Sequence, residues 1–389
     1  MLSRILPDSI SRYFAAAEQH IDPALSQEDH HSPIQSLPPE LLQEIFAFSA
    51  SPFPDPPPIL IQEPLPAQFN STSLYISRVC NQWRSLSFAT SEMWSWMSIS
   101  CPNDLCVKHV KYYLRRAGKV QGLHLSLAEP SSSSWTPPAP AENKWTLAIF
   151  RLWIPEAHRW RSIRFDFRNT PPIPEIINLS PGSLNKVTSF SLRTEWPDSV
   201  VEQFWDKVHT SPALREVEWR FPLTPNSAPL VQLTSIDMPG HILSCTEFLA
   251  LLSSCNKLRQ IEVIVDPVTE AEARSITCVT LAGCLEMLLL HFGPGEVEFG
   301  LLLDYIKAPN LRELEVEVSR SDRAVLRRFL CQSGCSLRRL WLRTNNFTYS
   351  EDHLLDSLLD AAPYLTSVEG FLEICLCPGL DPVPFLKCS

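Results

Sequence analysis

The sequence predicts an α/β protein with an α-helical N-terminal module: a short helical unit, followed by a long series of parallel strands and helices. Two observations lead to this prediction. Two segments before residue 100 space their apolar residues as amphipathic helices do, and beyond residue 100 one short apolar motif recurs at similar intervals. Hydrophobic residues make up 44% of the 389 residues, which is enough for a large core.

The first helix is predicted to begin at a proline pair. Pro38 and Pro39 suit a first helical turn, where the missing N–H group has no partner in any case. Glu40 and Glu44 lie near the positive end of the helix dipole. The apolar residues of this helix are Leu41, Leu42, Ile45, Phe46 and Phe48. A second amphipathic helix is predicted over residues 73–88, and two helices this short expose apolar surface typical of a partner site.

Two further segments belong to this N-terminal region. Residues 1–33 are predicted to form a flexible leader, because their last part, residues 28–33, is polar and ends in proline. Residues 51–66, between the two helices, contain seven prolines. Proline is excluded from helix interiors and central strands, so this insertion is predicted to be an extended surface loop.

Three short motifs follow one another here: Leu-Pro-Pro-Glu at 37–40, Val-Cys-Asn-Gln-Trp-Arg at 79–84 and Thr-Ser-Glu-Met-Trp at 90–94. Their order resembles the F-box of fungal F-box proteins, over residues 34–100. The resemblance implies docking on a Skp-family adaptor protein and, through it, on a cullin. The residues that it implies for adaptor binding are Leu37, Pro38, Leu41, Leu42, Ile45, Phe46, Val79, Cys80, Trp83 and Trp94. The alternative is an ordinary helical hairpin in a larger core.

The motif Leu-x-x-Leu-x-Leu, with other apolar residues allowed at the same positions, recurs through residues 101–389. Nine copies begin at residues 120, 160, 187, 214, 233, 258, 285, 311 and 337, and a weaker copy begins at 365. From residue 187 onward the copies start 19 to 28 residues apart. This spacing is similar to that of leucine-rich repeats. The alternative is an α/β domain with irregular strand–helix units.

Helical patterns lie between the copies. The predicted helices cover residues 199–208, 246–254, 297–306, 322–330 and 351–359. A strand–turn–helix unit repeated in this way gives parallel strands, because each helix returns the chain on the same side of the sheet. One unit cannot bury its apolar face alone, so the units are predicted to stack into a curved, leucine-rich-repeat-like solenoid.

The strand motif also predicts where a target protein would bind. Its apolar positions turn toward the core and the intervening residues turn toward the concave face of the sheet. The target-binding residues proposed on this face are Glu262, His291, Glu315, Arg339, Trp341 and Arg343. Exposed Trp and Arg are common anchors of protein interfaces. The alternative for the charged residues is pairing between strands, Glu313 with Arg339 and Glu317 with Arg343.

Composition and motifs exclude several classes of function. The net charge of −10 argues against a general nucleic-acid binder, and no apolar run reaches the roughly 18–20 residues that cross a bilayer. The twelve cysteines are scattered without a secretory signal, which favours reduced thiols in the cytoplasm or nucleus. The sequence contains no phosphate loop, zinc motif or nucleophile elbow, so no catalytic residue, metal or cofactor is predicted.

The resemblance therefore implies a non-catalytic substrate receptor of a cullin-RING, SCF-type ubiquitin ligase. The N-terminal module would bind the adaptor, and the repeats would hold a target protein that the sequence does not identify. Two alternatives stay open. The protein could be an F-box scaffold that joins no ligase, or a plain repeat-type protein-binding module.

Overall fold

The structure is a computed structural model, and it describes residues 34, 37–50, 68–69, 72–129, 144–167, 170–180, 182–194, 196, 198–219, 230–266, 276, 279–292, 300–317, 323–344, 367–372 and 383–388. These residues form an α/β structure built on a long, mainly parallel sheet. The predicted leader over 1–33, the proline-rich insertion over 51–66 and the predicted helix over 351–359 lie outside the described residues.

The helices of the described residues are α1 (Pro39–Ala50), α2 (Thr72–Ile76), α3 (Asn81–Ala89), α4 (Asp104–Arg116), α5 (Lys144–Trp153), α6 (Pro174–Ile177), α7 (Asp198–Val208), α8 (Cys245–Ser254), α9 (Gly300–Leu303) and α10 (Arg323–Ser333). Short 3₁₀ helices cover Ser91–Trp94, Ile154–Arg159 and Leu230–Gln232.

The strands are β1 (Gln68–Phe69), β2 (Trp96–Ser100), β3 (Leu123–Ala128), β4 (Trp160–Phe167), β5 (Ser189–Thr194), β6 (Glu216–Glu218), β7 (Ser235–Leu243), β8 (Gln260–Val265), β9 (Thr280–Leu281), β10 (Met287–Phe292), β11 (Ile306–Lys307), β12 (Glu313–Glu317), β13 (Arg339–Thr344), β14 (Ser367–Leu372) and β15 (Val383–Cys388).

The main sheet follows the order of the chain. Its strands run β1 to β8 and then β10, β12, β13, β14 and β15, so each strand pairs with the next one in this series. All pairings from β2 to β14 are parallel, and only the outermost pairs, β1 with β2 and β14 with β15, are antiparallel. The short strands β9 and β11 form a separate parallel pair. The predicted parallel strands are thus confirmed.

The apolar positions of the repeated motif face one core. Every such position described from residue 160 to residue 340 is at most 3% exposed. The register aligns these residues across strands, for example Ile261, Leu288, Leu314 and Leu340 on β8, β10, β12 and β13. In parallel sheets the side chains that face a covering layer of helices form continuous apolar rows of this kind. The inward direction of the motif, predicted from its spacing, is confirmed for these copies.

Three of the predicted helices are present as α7, α8 and α10, with ends that differ from the prediction by at most three residues. The prediction over residues 297–306 is wrong at its C-terminal end. There α9 stops at Leu303, and Ile306 lies in β11, where it pairs with Thr280 of β9. Leu302, Leu303 and Ile306 are all fully buried, so the same apolar spacing serves a helical turn and then a strand.

The predicted helix over residues 73–88 is also wrong, because the structure divides it into α2 and α3. Cys80 interrupts the helix with an extended backbone, at φ −154° and ψ 174°. Its sulfur accepts a hydrogen bond from the backbone N–H of Trp83 at 3.4 Å, so Cys80 is the N-cap of α3. The Arg84 Nε donates to the Ser77 carbonyl at 3.1 Å and holds the turn between the two helices.

The first copy of the motif departs from the predicted pattern as well. Val120 was expected to face the core, but its side chain is 93% exposed. It lies in a turn that Gly118 enters with a left-handed φ of +64°, a conformation that glycine adopts without strain. Ala117, at the end of α4, is buried in this part of the core.

The N-terminal helices share this core with the sheet. One cluster of buried apolar side chains extends from Leu42 in α1 to Leu340 in β13. Strand β2 lies before the predicted domain boundary at residue 100, yet it pairs in register with β3 beyond it. Residues on both sides of that boundary therefore stabilise each other. Among the helices of the described residues, none is both long and apolar enough to cross a lipid bilayer.

The two faces of β8 give a direct test of this packing. Ile261 is fully buried, whereas Ile264 lies on the opposite face and is only half-buried. Ile261→Ala should lower the free energy of unfolding by about 2–5 kcal/mol, because it leaves a cavity in the core. Ile264→Ala is the matched control and should cost much less. Urea unfolding of both variants measures this, and equal losses would contradict the assignment of the two faces.

Candidate functional site

A group of large apolar side chains stays exposed on the N-terminal helices. We call it the apolar patch, and its members are Leu41, Ile45, Phe48, Tyr75 and Val79. Their exposed fractions are 46%, 43%, 67%, 62% and 61%. The first three lie along one side of α1, because residues at spacings of four and three share a helical face. An exposed apolar group of this kind is typical of a protein-binding surface.

The opposite side of α1 fixes the helix to the core. Leu42, Phe46 and Ala50 follow at intervals of four residues and are buried. The ring of Phe46 lies 4.8 Å from the ring of Trp83 in α3, between centroids. Since one stripe of α1 is held in this way, the neighbouring stripe that carries Leu41 and Ile45 has a defined direction toward solvent.

Trp94 connects the helices to the beginning of the sheet. Its side chain is fully buried, and the indole Nε1 donates to the Ser87 carbonyl of α3 at 2.8 Å. Its ring meets Tyr113 of α4 edge-on at 5.1 Å. Burial raises the pKa of the Tyr113 phenol well above its ordinary value. Trp94 therefore supports the helices from inside the core.

The structure separates the predicted adaptor-binding residues into three groups. Pro38, Leu41, Ile45 and Val79 are exposed, and Leu37, Cys80 and Trp83 are half-buried. Leu42, Phe46 and Trp94 are at most 2% exposed, so the expectation that their side chains contact a partner does not fit this conformation. They position the surface instead. The sequence prediction missed Phe48 and Tyr75 as surface residues, although the spacing of seven from Leu41 to Phe48 was visible.

The second surface is the side of the main sheet that faces away from the core, which we call the polar face. Register places one of its rows across β4 to β13. In that order the row contains Arg164, Ser191, Glu218, Asp237, Glu262, Leu289, Glu315 and Trp341. The alternation of strand side chains brings these residues together from eight strands. The polar face is thus continuous and mainly charged.

Glu218 is bonded to side chains from two neighbouring strands of this row. Its side chain accepts a hydrogen bond from the Ser191 hydroxyl at 2.6 Å and is bonded to the Arg193 guanidinium. Arg164 Nε approaches the same carboxylate to 3.9 Å. Because the carboxylate is largely buried, these contacts fix the charge between β4, β5 and β6.

Asp237 lies beside Glu218 and Glu262 in this row. Burial, with the like charges of Glu262 and Glu218, raises the pKa of Asp237 to about 7, while Arg193 and Arg164 oppose this rise. Its Oδ1 is buried and has no hydrogen-bond partner among the described residues. The sequence prediction omitted Asp237, although it occupies the outward position between Ile236 and Met238. The carboxyl is therefore poised to titrate near neutral pH.

The predicted target-binding residues also lie on the polar face, but several of them interact with each other. His291 Nε2 is 3.5 Å from a Glu262 oxygen, and Arg339 is paired with Glu313. The register also places Glu317 opposite Arg343, so the expected pairing of positions between strands is confirmed. The side chain of Arg343 lies outside the described residues, and Glu315 is half-buried in the row next to Trp341.

Trp341 is half-buried at the β13 end of the row. The guanidinium of Arg339 lies 5.4 Å from the centre of its ring, within the range of a cation–π contact. An aromatic ring held beside an arginine is a frequent anchor in protein interfaces. Of the predicted target-binding residues, Trp341 therefore has the geometry that best fits this role.

The chemistry of the described side chains was also compared with that of metal sites and reactive thiols. No group of three or more His, Cys, Asp and Glu residues in the described ranges could hold a metal ion. Burial raises the pKa of the Cys255 thiol to about 12 and also raises that of Cys335. No protein-family model matches the chain, and a search of the curated proteins found no match either.

The raised pKa of Asp237 gives a pH-dependent stability. Because the pKa rises from its ordinary value of 3.8 to about 7 on folding, ionisation of this carboxyl destabilises the folded state. The gain in stability from Asp237→Asn should therefore be larger at pH 8 than at pH 5. Urea unfolding at both pH values measures it. Glu216→Gln, which removes an exposed carboxylate from β6, controls for net charge; an equal gain from Asp237→Asn at both pH values would contradict the assignment.

Proposed function

We propose that the protein is a substrate receptor of an SCF-type ubiquitin ligase. Residues 34–100 would act as an F-box that docks on a Skp-family adaptor and, through it, on a cullin. Residues 101–389 would act as a leucine-rich-repeat-like solenoid that holds a target protein. Ubiquitin transfer would then depend on proximity alone, because a bound target is presented to the conjugating enzyme at a high effective concentration.

The observation that carries the adaptor half of the proposal is the two-sided packing of α1. One stripe of this helix is buried by the core, and the adjoining stripe exposes Leu41, Ile45 and Phe48. A helix that only filled the core would not need these three apolar residues on its solvent side. The motifs around Leu37 and Trp83 that resemble an F-box lie in the same group of helices, and these helices pack against each other.

The arrangement of the sheet supports the target half of the proposal. Strands that follow one another in chain order place the row from Arg164 to Trp341 on the side of the sheet that faces away from the core, across eight strands. Stacked repeats use such an extended face for binding. In the solenoid that we propose, the polar face is the concave face, and Trp341 would anchor the target.

A non-ligase scaffold is the second candidate, because the apolar patch would serve adaptor binding equally well without a cullin. Detection of a cullin in the same complex supports the ligase, and an adaptor complex that lacks a cullin supports the scaffold. A plain protein-binding module would capture no adaptor at all. The protein would act in the cytoplasm or the nucleus, where such complexes assemble.

Replacing Leu41 and Ile45 together by Ala should weaken adaptor capture by at least about tenfold, because apolar anchors of an interface contribute more than 1 kcal/mol each. Both side chains are partly exposed, so the loss of fold stability should be small. Co-purification with a Skp-family adaptor measures the effect.

The matched control is Leu105→Ala with Val231→Ala. These residues are 52% and 56% exposed, similar to Leu41 and Ile45, but they lie outside the apolar patch. The control variant should capture the adaptor as the wild-type chain does. Unchanged capture by the Leu41 and Ile45 variant would contradict the proposed docking surface.

Trp341→Ala should remove the target proteins that the full chain captures from a cell lysate, while adaptor recovery stays the same. Trp145→Ala is the control, since Trp145 is also a half-buried tryptophan but lies on α5. Quantitative mass spectrometry of the captured proteins measures both variants. The same set of partners for Trp341→Ala and the wild-type chain would show that Trp341 does not anchor the target.

A further inference from the structure

A groove lined by arginines lies where the polar face meets the amino-terminal ends of the strands. It has a volume of about 460 Å³. We call it the arginine groove, and its charged residues are Arg259, Arg312, Arg338, Arg339, Glu286 and Glu313. Four cations and two anions give the groove a positive charge in a chain whose net charge is −10. The local charge therefore does not reflect the composition of the whole protein.

The repeat itself places these arginines together. Arg259, Arg312 and Arg338 each follow the buried leucine that begins a copy of the motif. Backbone hydrogen bonds join these positions from strand to strand. The Glu286 N–H donates to the Arg259 carbonyl at 2.7 Å, the Arg312 N–H to the Glu286 carbonyl at 2.8 Å and the Arg338 N–H to the Arg312 carbonyl at 2.7 Å. The four residues therefore occupy the same position on four neighbouring strands of the sheet.

The ion pairs within the groove do not neutralise all of its arginines. Arg259 approaches Glu286 only to 3.8 Å, with the two side chains 67% and 39% exposed, and exposed pairs contribute little to stability. Arg339 is paired with Glu313. Arg312 is exposed and makes no side-chain hydrogen bond or ion pair with another described residue. An incoming anion can therefore bind Arg259 and Arg312 without breaking a close ion pair.

The dimensions fit a short extended peptide. Neighbouring strands lie about 4.8 Å apart, so the three steps from Arg259 to Arg338 span about 14 Å. Four residues of an extended chain cover a similar length, at about 3.3 Å per residue. Guanidinium groups on neighbouring or alternate strands within this length can form paired hydrogen bonds with carboxylates or phosphates of one segment.

We infer that the arginine groove binds an acidic segment of a partner protein, about four residues long and rich in carboxylate or phosphate groups. This inference rests on the proposed use of the sheet as a target-binding surface, and it adds the chemistry of the target. The net negative charge of the whole chain does not prevent this binding, because charges more than about 8 Å away are largely screened at physiological salt. We assign the groove to a peptide because four residues of an extended chain match its length of about 14 Å.

Fluorescence anisotropy with the full chain tests the inference. The probes are a labelled peptide with four consecutive Glu residues between Gly-Ser flanks, the same peptide with phosphoserine in place of Glu, and a Gln version as the neutral reference. We expect binding of one or both acidic peptides, which identifies carboxylate or phosphate as the preferred group, and at least tenfold weaker binding of the Gln peptide. Equal binding of all three, or binding of none, would overturn the inference.

Arg312→Glu with Arg338→Glu should weaken binding of the acidic peptide at least tenfold. Lys111→Glu with Arg115→Glu makes the same charge change on exposed residues of α4 and should alter the affinity less than twofold. Equal losses in both variants would show only a general charge effect and overturn the groove assignment. Arg312→Gln with Arg338→Gln, checked by circular dichroism, should also lose binding; unchanged binding by this folded variant would overturn it.

An unlabelled single-stranded oligonucleotide serves as competitor. We expect it to displace the peptide no better than inorganic phosphate at equal phosphate concentration; tighter binding that depends on Arg312 and Arg338 would assign the groove to nucleic acid and overturn the peptide inference. Adaptor capture by the same variants separates the two proposals. The groove variants should retain adaptor capture, whereas failure of the adaptor proposal would remove it from the wild-type chain as well.

Discussion

The structure depends on the burial of one apolar side of a long parallel sheet. Rows such as Ile261, Leu288, Leu314 and Leu340 cross strand after strand, and each residue is covered only because its neighbours on both sides are in place. Apolar burial contributes about 25 cal/mol for each Å² removed from water, so the repeated rows are the dominant source of stability. The positions of the N-terminal helices and of the polar face depend on this arrangement.

One consequence is that the two proposed binding surfaces lie far apart on the same sheet. The N-terminal helices join the core beside β2, whereas the arginine groove begins at β8, six strand positions further along the sheet. At about 4.8 Å for each position, the separation is roughly 30 Å. Two partners could therefore bind at the same time, one through apolar contacts and the other through charged and aromatic contacts.

Much of the sheet could be predicted from the sequence, since the repeated apolar spacing indicates which side chains are buried. The short strands were missed for a physical reason. Thr280 and Leu281 in β9 are too few to show a period, and β2 lies among motifs that resemble helices. The division at Cys80 was also hidden, because a backbone in the extended conformation leaves the apolar spacing of its neighbours unchanged.

The candidate sites were less predictable than the fold. Spacing identified α1 as amphipathic but did not show that Leu41 faces solvent and Leu42 the core, because both residues belong to its wide apolar side. The raised pKa of Asp237 depends on carboxylates from neighbouring strands, and the arginine groove depends on residues from four copies of the repeat. Such groups form only when the register is known.

Hydrogen–deuterium exchange of the full chain, with and without a Skp-family adaptor, tests the central claim most directly. We predict that the adaptor slows exchange in α1 and in the turn between α2 and α3, while exchange in β8 to β13 stays the same. No protection in α1, or protection confined to the sheet, would contradict it.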